Sequence, residues 1–258
     1  MKWLNAKSLR LLFVFVSQEL RGRYVGSTMG IFWNLINPLV MISLYTLVFQ
    51  VFLKMQTPDH PSYAAFIFCG LLPWMAISES LMRSTTTILE NANLVKKVVF
   101  PTEILILNIV ISSFIHELIG LVLFIILLLI LGTPPGLASF LILFVFIIQI
   151  IFSIGLGFFF STLNVYIRDV TPLLQAFLTL WFFLTPIVYP MDKIPAEYAT
   201  YCRLNPLYSL IKMYRSLLLK NQVMQLQDLL IFSAYALGMF LIGLKYFQSN
   251  KLEFSDYI

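Results

Sequence analysis

The stretch Leu118–Ile167, LIGLVLFIILLLILGTPPGLASFLILFVFIIQIIFSIGLGFFFSTLNVYI, runs fifty residues without a charged side chain. A bilayer's hydrocarbon core is about 30 Å thick, and a helix rising about 1.5 Å per residue crosses it in about 20 apolar residues. Fifty residues broken only by Gly132-Thr133-Pro134-Pro135-Gly136 therefore predict two antiparallel spanning helices. A soluble fold could not bury so much unbroken apolar helix. The chain reads as an all-α integral membrane protein.

Composition agrees. Of 258 residues, 60% are hydrophobic and only 11% charged, with a mean hydropathy of +0.90. Soluble domains carry about 25% charged residues, so little chain is left for an extramembrane domain. The net charge of +5 is not a nucleic-acid footprint, because in a membrane protein the placement of Lys and Arg reports orientation. Cys69 and Cys202 lie in no Cys-x-x-Cys or Cys/His spacing, so metal and redox motifs have no support. Leu11–Val16 is too short, and too closely followed by Glu19, Arg21 and Arg23, to be a cleaved signal peptide.

Six spans are expected at residues 30–53, 63–82, 103–131, 137–163, 171–189 and 228–247, forming one domain over residues 1–258. With the N-terminus inside, eleven of the 17 Lys and Arg lie on the cytoplasmic side and six outside. The balance favours cytoplasmic N- and C-termini. Five of the outer six crowd between Lys193 and Lys220. That segment, 191–226, is too short for two crossings, yet Leu207, Leu210, Ile211, Tyr214 and Leu218 recur at helical spacing. It reads as short helices dipping into the outer leaflet, or as a helix lying flat on it. Residues 7–23 form a second amphipathic helix, with Leu9, Leu12, Phe13, Val16 and Leu20 on one face and Arg10, Ser17 and Arg21 on another. It suits the cytoplasmic interface.

Polar groups inside the spans are expensive and need explaining. Glu117, beside His116, falls mid-span, where a charge costs about 2.5–3.5 kcal/mol. It must face protein or water, or be neutral. His116-Glu117-Leu118-Ile119-Gly120 has Gly where a metalloprotease's second zinc-binding His would stand. A structural hydrogen-bonded role or a relay role stays open. Glu79 has Arg83 four residues on, an i,i+4 pair. Asn34, Asn37, Met41, Tyr45, Phe49 and Phe52 form one stripe, and Gln175, Thr179, Phe182 and Pro186 another. Amides and hydroxyls sit poorly against lipid, so these faces look inward. Aromatic rings beside amides suit a carbohydrate, although plain helix packing gives the same spacing. There is no phosphate-binding Gly-rich loop and no chain of membrane carboxylates, so energy for transport has to come from another chain.

The residues resemble a known family. Arg23-Tyr24, Leu35-Ile36-Asn37-Pro38-Leu39, Gly70-Leu71-Leu72-Pro73-Trp74, Asn93 to Pro101, Tyr166-Ile167-Arg168-Asp169-Val170, Thr185 to Pro190 and Asn205-Pro206-Leu207 with Tyr214-Arg215 occur in order over nearly the whole chain. Together they are similar to the membrane subunits of ABC-2 type exporters of cell-surface polysaccharides, the O-antigen permeases (Wzm-like) above all, with capsule and teichoic acid permeases related.

The resemblance implies a homodimer joined to two copies of a separate Wzt-like ATPase, which binds the ATP and Mg; no cofactor is expected in this chain. It implies that residues 90–100, with Asn93, Lys96 and Lys97, form a coupling helix touching the ATPase, flanked by Arg10 and Arg21. It makes the two stripes the path of a lipid-linked polysaccharide, and Asn205, Pro206, Tyr214 and Arg215 parts of an outer gate. The location implied is the inner membrane. Rival readings are an exporter of a small drug or lipid, a membrane-embedded glycolipid-modifying enzyme using His116 and Glu117, and a structural scaffold.

Overall fold

The computed structural model describes residues 6–22, 33–57, 62–98 and 100–258, without the side chains of Asn34, Leu35 and Asn37. The expected start of the first span at Gly30, the Arg23-Tyr24 motif and Val99 lie outside the described residues. All regular structure among the described residues is helical. In lipid, a helix satisfies its own backbone polar groups, which is why apolar runs of this length fold this way.

The order is α1 (Ala6–Gly22), α2 (Trp33–Tyr45) continued by a π-helical stretch (Thr46–Phe52), α3 (Tyr63–Glu90), α4 (Ala92–Lys97), α5 (Glu103–Ile130) and α6 (Ile142–Tyr166). Then follow α7 (Val170–Leu184), α8 (Ala196–Leu204), α9 (Pro206–Leu218), α10 (Leu226–Asn250) and α11 (Phe254–Tyr257). Four helical segments are long and apolar enough to cross a bilayer: α3, α5, α6 with its 3-10 lead-in from Leu137, and α10. Two shorter apolar segments, Pro38–Phe52 and Val170–Leu184, occupy the expected first and fifth positions.

Several boundaries differ from expectation for local reasons. The fifth apolar helix stops at Leu184 instead of 189. Thr185 precedes Pro186, and a residue before proline is pushed out of the α region; here Thr185 has ψ 130°. The short helix expected over 90–100 covers only Ala92–Lys97, because Asn91 closes α3 by donating to the Thr87 carbonyl (2.8 Å) and Val98 is extended.

α3 is the central post. Nineteen of its 28 residues are buried, packed on α5, α6, α7 and α9. At Gly155 and Gly243, α6 and α10 approach so closely that no side chain fits between them. A methyl on Gly155 would lie 2.5 Å from the Phe240 amide nitrogen, and one on Gly243 would lie 2.1 Å from the Gly155 carbonyl oxygen. Small residues at such crossings let backbones approach where lipid supplies no hydrophobic drive.

At one end of the bundle, Lys251 reaches the buried Glu103 at 2.6 Å, pinning the end of α10 to the start of α5. The Tyr166 hydroxyl meets Asn250 Oδ1 (3.1 Å) and Glu253 Oε2 (3.0 Å). α1 packs on α5 at this same end, with Phe15 stacked on Phe100 at 6.4 Å and Glu19 bonded to Arg83.

Candidate functional site

A cavity of about 550 Å3 opens between α2, α3 and α7. It falls within the ~300–1,000 Å3 range of small-molecule sites. Five residues of the two sequence stripes line it: Met41 and Tyr45 from α2, and Gln175, Thr179 and Phe182 from α7. Phe49 touches Tyr45 at 6.3 Å but does not line the cavity, and Phe52 is two-thirds exposed outside it. Asn34 and Asn37 have no described side chains.

The third wall escaped the stripes. α3 contributes Trp74, Met75, Ser78, Glu79 and Arg83. Trp74 stands edge-on to Trp181 (6.2 Å, 89°) and 5.5 Å from Phe182, which lies 5.5 Å from Tyr45. The result is a ring-lined wall with amide and hydroxyl groups of Gln175, Thr179 and Ser78 beside it. At one end, Glu79 lies 3.7 Å from Arg83, which also holds Glu19 of α1. Rings offer flat apolar faces and the polar groups offer hydrogen bonds, the pairing a sugar chain needs.

On the opposite side of the bundle from α4, the chain after α7 leaves helical geometry, so its carbonyls need partners. Side chains from elsewhere supply them. Tyr63 of α3 donates to the Val188 carbonyl (2.6 Å), and Arg215 of α9 donates to those of Pro186 (2.9 Å) and Ile187 (2.6 Å). Arg215 is buried with its guanidinium 3.5 Å over the Phe66 ring. Gly70 makes room for it, since a methyl there would lie 3.1 Å from Arg215 Nη2. Asn205 caps α9 by accepting from Leu207 N (3.0 Å), with Pro206 in the first turn. The same amide accepts from Trp181 Nε1 (3.0 Å) and donates to Thr185 Oγ1 (2.7 Å), tying α9 to the cavity wall. Outside this knot, Lys212 pairs with Asp228 at 2.9 Å.

Glu117 is buried among neutral partners. Its Oε1 lies 2.7 Å from the Tyr214 hydroxyl, and its Oε2 accepts from Gln149 Nε2 at 3.0 Å. Gln149 Nε2 also donates to the Pro73 carbonyl (3.2 Å), and Gln149 Oε1 lies 2.6 Å from the Tyr214 hydroxyl. Gln149 was overlooked in the sequence. The available signal was that it and Asn164 are the sole amides in the fifty-residue apolar run. His116 lines a cavity of about 230 Å3 together with Glu79, Ser113 and Glu117 itself.

At the α4 end, Asn93, Lys96 and Lys97 are exposed, as are Arg10 and Arg21 on α1. α11 packs against α4, and the Phe15–Phe100 stack brings α1 to the start of α5 beside it. These cations therefore share one end of the molecule.

Comparison with known proteins gives consistent relatives. The O-antigen export system permease protein of Myxococcus xanthus is 31% identical over 250 residues, covering 96% of this chain and 95% of that one. One from Klebsiella pneumoniae is 30% identical over 247 residues, covering 95% and 94%. The polysialic acid transport protein of Escherichia coli is 22% identical over 236 residues, covering 91% of each. The family model for ABC-2 type transporters matches residues 10–219, which takes in the cavity, the short α4 and the α9 knot. The chain belongs to the ABC-2 type transporter family.

Proposed function

We propose that this chain is the membrane-spanning subunit of an ATP-driven exporter that moves a lipid-linked cell-surface polysaccharide, O-antigen-like, out of the cytoplasm. The observation that carries the substrate class is the gathering of Tyr45, Trp74, Gln175, Thr179 and Phe182 around one cavity. In this reading α2, α3, α5, α6, α7 and α10 are the six crossings. Both termini are cytoplasmic, and the protein sits in the inner membrane. Two copies face each other across α2 and α7, so that each cavity is half of one passage. Met41, Phe49 and Phe52 with Asn34 and Asn37 continue its α2 wall.

ATP and Mg belong to a separate ATPase, two copies of which dock on α4. Asn93, Lys96 and Lys97 present the docking surface, and Arg10 and Arg21 extend it. Closure of the ATPases pushes α4. Because α3 ends where α4 begins, the push passes to the Glu79–Arg83–Glu19 end of the cavity and parts α2 from α7. Asn205, Pro206, Tyr214 and Arg215 hold the outer gate.

Deleting the gene should remove the glycan from the cell surface and leave it inside. A surface glycan that persists, with loss of drug resistance instead, would replace this reading by that of a small-molecule exporter. Replacing Tyr45 and Trp74 together with Ala should cut surface glycan at least tenfold while leaving the amount of membrane-inserted protein unchanged. Lys96→Glu with Lys97→Glu should abolish co-purification of the ATPase without lowering the melting temperature of the permease.

A further inference from the structure

The contacts of Glu117, Gln149 and Tyr214 assign every proton in the cluster, and the assignment starts from Pro73. A backbone carbonyl can only accept, so the Gln149 atom 3.2 Å from the Pro73 carbonyl is the amide nitrogen. The hydrogen-bond partners thus fix the orientation of the amide. Its second hydrogen points at Glu117 Oε2, 3.0 Å away. Gln149 Oε1 then faces the Tyr214 hydroxyl at 2.6 Å. An amide oxygen cannot donate, so the single phenolic hydrogen of Tyr214 is committed to that contact.

The Tyr214 oxygen also lies 2.7 Å from Glu117 Oε1. With its hydrogen already used, Tyr214 can only accept there. Two bare acceptors buried together at that distance would repel each other. The hydrogen between them has to reside on Glu117. Both partners of this carboxyl, Tyr214 and Gln149, are uncharged.

We propose that Glu117 is carried as a neutral carboxylic acid whose proton closes a ring of hydrogen bonds, Glu117 to Tyr214 to Gln149 and back, and that this ring latches the outer helix α9 onto α5 and α6. Glu117 is thus a positioning residue. It touches no cargo, and it holds Tyr214, hence the neighbouring Arg215 and the chain between Pro186 and Ile187 that Arg215 supports. The bond to Pro73 extends the ring to α3, whose next residue, Trp74, is in the cavity wall. The ring therefore joins the helices on which the outer gate and the passage wall depend. Its proton assignment stands apart from the exporter reading; its effect on export rests on that reading.

The test is infrared spectroscopy on the purified full-length chain in lipid vesicles, paired with surface-glycan measurement in cells. Wild type should show a protonated-carboxyl C=O stretch, shifted in D2O, that vanishes in Glu117→Gln. The amide of Glu117→Gln can donate to Tyr214 and accept from Gln149, so its melting temperature and export should match wild type. Tyr214→Phe strands both the Glu117 proton and Gln149 Oε1, and it should cut export at least tenfold. Absence of the band from wild type overturns the proton assignment. Wild-type export by Tyr214→Phe, or equal loss in Glu117→Gln and Tyr214→Phe, overturns the latch. A deletion strain that keeps its surface glycan would instead sink the exporter reading, and the infrared band would still decide the proton.

Discussion

The α6–α10 pair and the α2–α7 wall are built on opposite principles. α6 and α10 touch backbone to backbone at Gly155 and Gly243, with Phe152 against Phe232 and Phe158 against Phe247 at 5.5 and 4.9 Å. α7 buries only Val170, Leu174, Leu178 and Phe182, one stripe at four-residue spacing, out of 15 residues. It meets α3 through rings around a void. Close packing leaves a pair of helices one arrangement, since displacing either costs many contacts at once. Rings around a cavity can slide or rotate at little cost. In the exporter proposed above, the difference separates scaffold from moving part: α3, α5, α6 and α10 would hold still while α2 and α7 part.

Four substitutions grade that contrast. Gly155→Leu drives a side chain into the Phe240 backbone and should cost more than about 3 kcal/mol, read as loss of the monodisperse peak in size-exclusion chromatography. Arg215→Met orphans the Pro186 and Ile187 carbonyls and should cost about 2–3 kcal/mol in detergent unfolding. Asn205→Ala removes the α9 cap with its Trp181 and Thr185 bonds, a loss of about 1–2 kcal/mol by the same measurement. Gln175→Ala, on the exposed cavity wall, should change stability by less than about 0.5 kcal/mol. Export should nonetheless fall severalfold in that variant. If Gly155→Leu folded normally or Gln175→Ala unfolded the protein, the scaffold and the moving wall would have to trade places.

Most of the helical architecture is legible in the sequence, because the signals are local. The apolar runs announce α5 and α6 by length alone, and Leu207, Leu210, Ile211, Tyr214 and Leu218 announce α9 by their helical spacing. The candidate site was half legible. Met41, Tyr45, Gln175, Thr179 and Phe182 share faces that periodicity exposes. Trp74, Ser78 and Arg83 join them only through tertiary packing, since α3 is buried on nearly every side and its polar residues form no single stripe. Arg215 sits among basic neighbours and reads as a surface cation in the sequence. The structure buries it because the Pro186 break frees carbonyls that need a donor, a need that arises 29 residues away. Glu117 signalled that partners must exist, but a carboxylate in an apolar run does not say which helices bring them.

The brevity of α7 has a consequence for throughput. Fifteen residues reach only about 22 Å, well short of a membrane's greasy interior. Beyond Leu184 the chain runs through an irregular stretch into the short α8 and α9, so in the proposed exporter the stretch to be traversed between regular helices would be about a quarter thinner than the surrounding lipid. A long flexible cargo would have fewer units confined at any moment and less drag per stroke, at the expense of a weaker seal against ions between strokes.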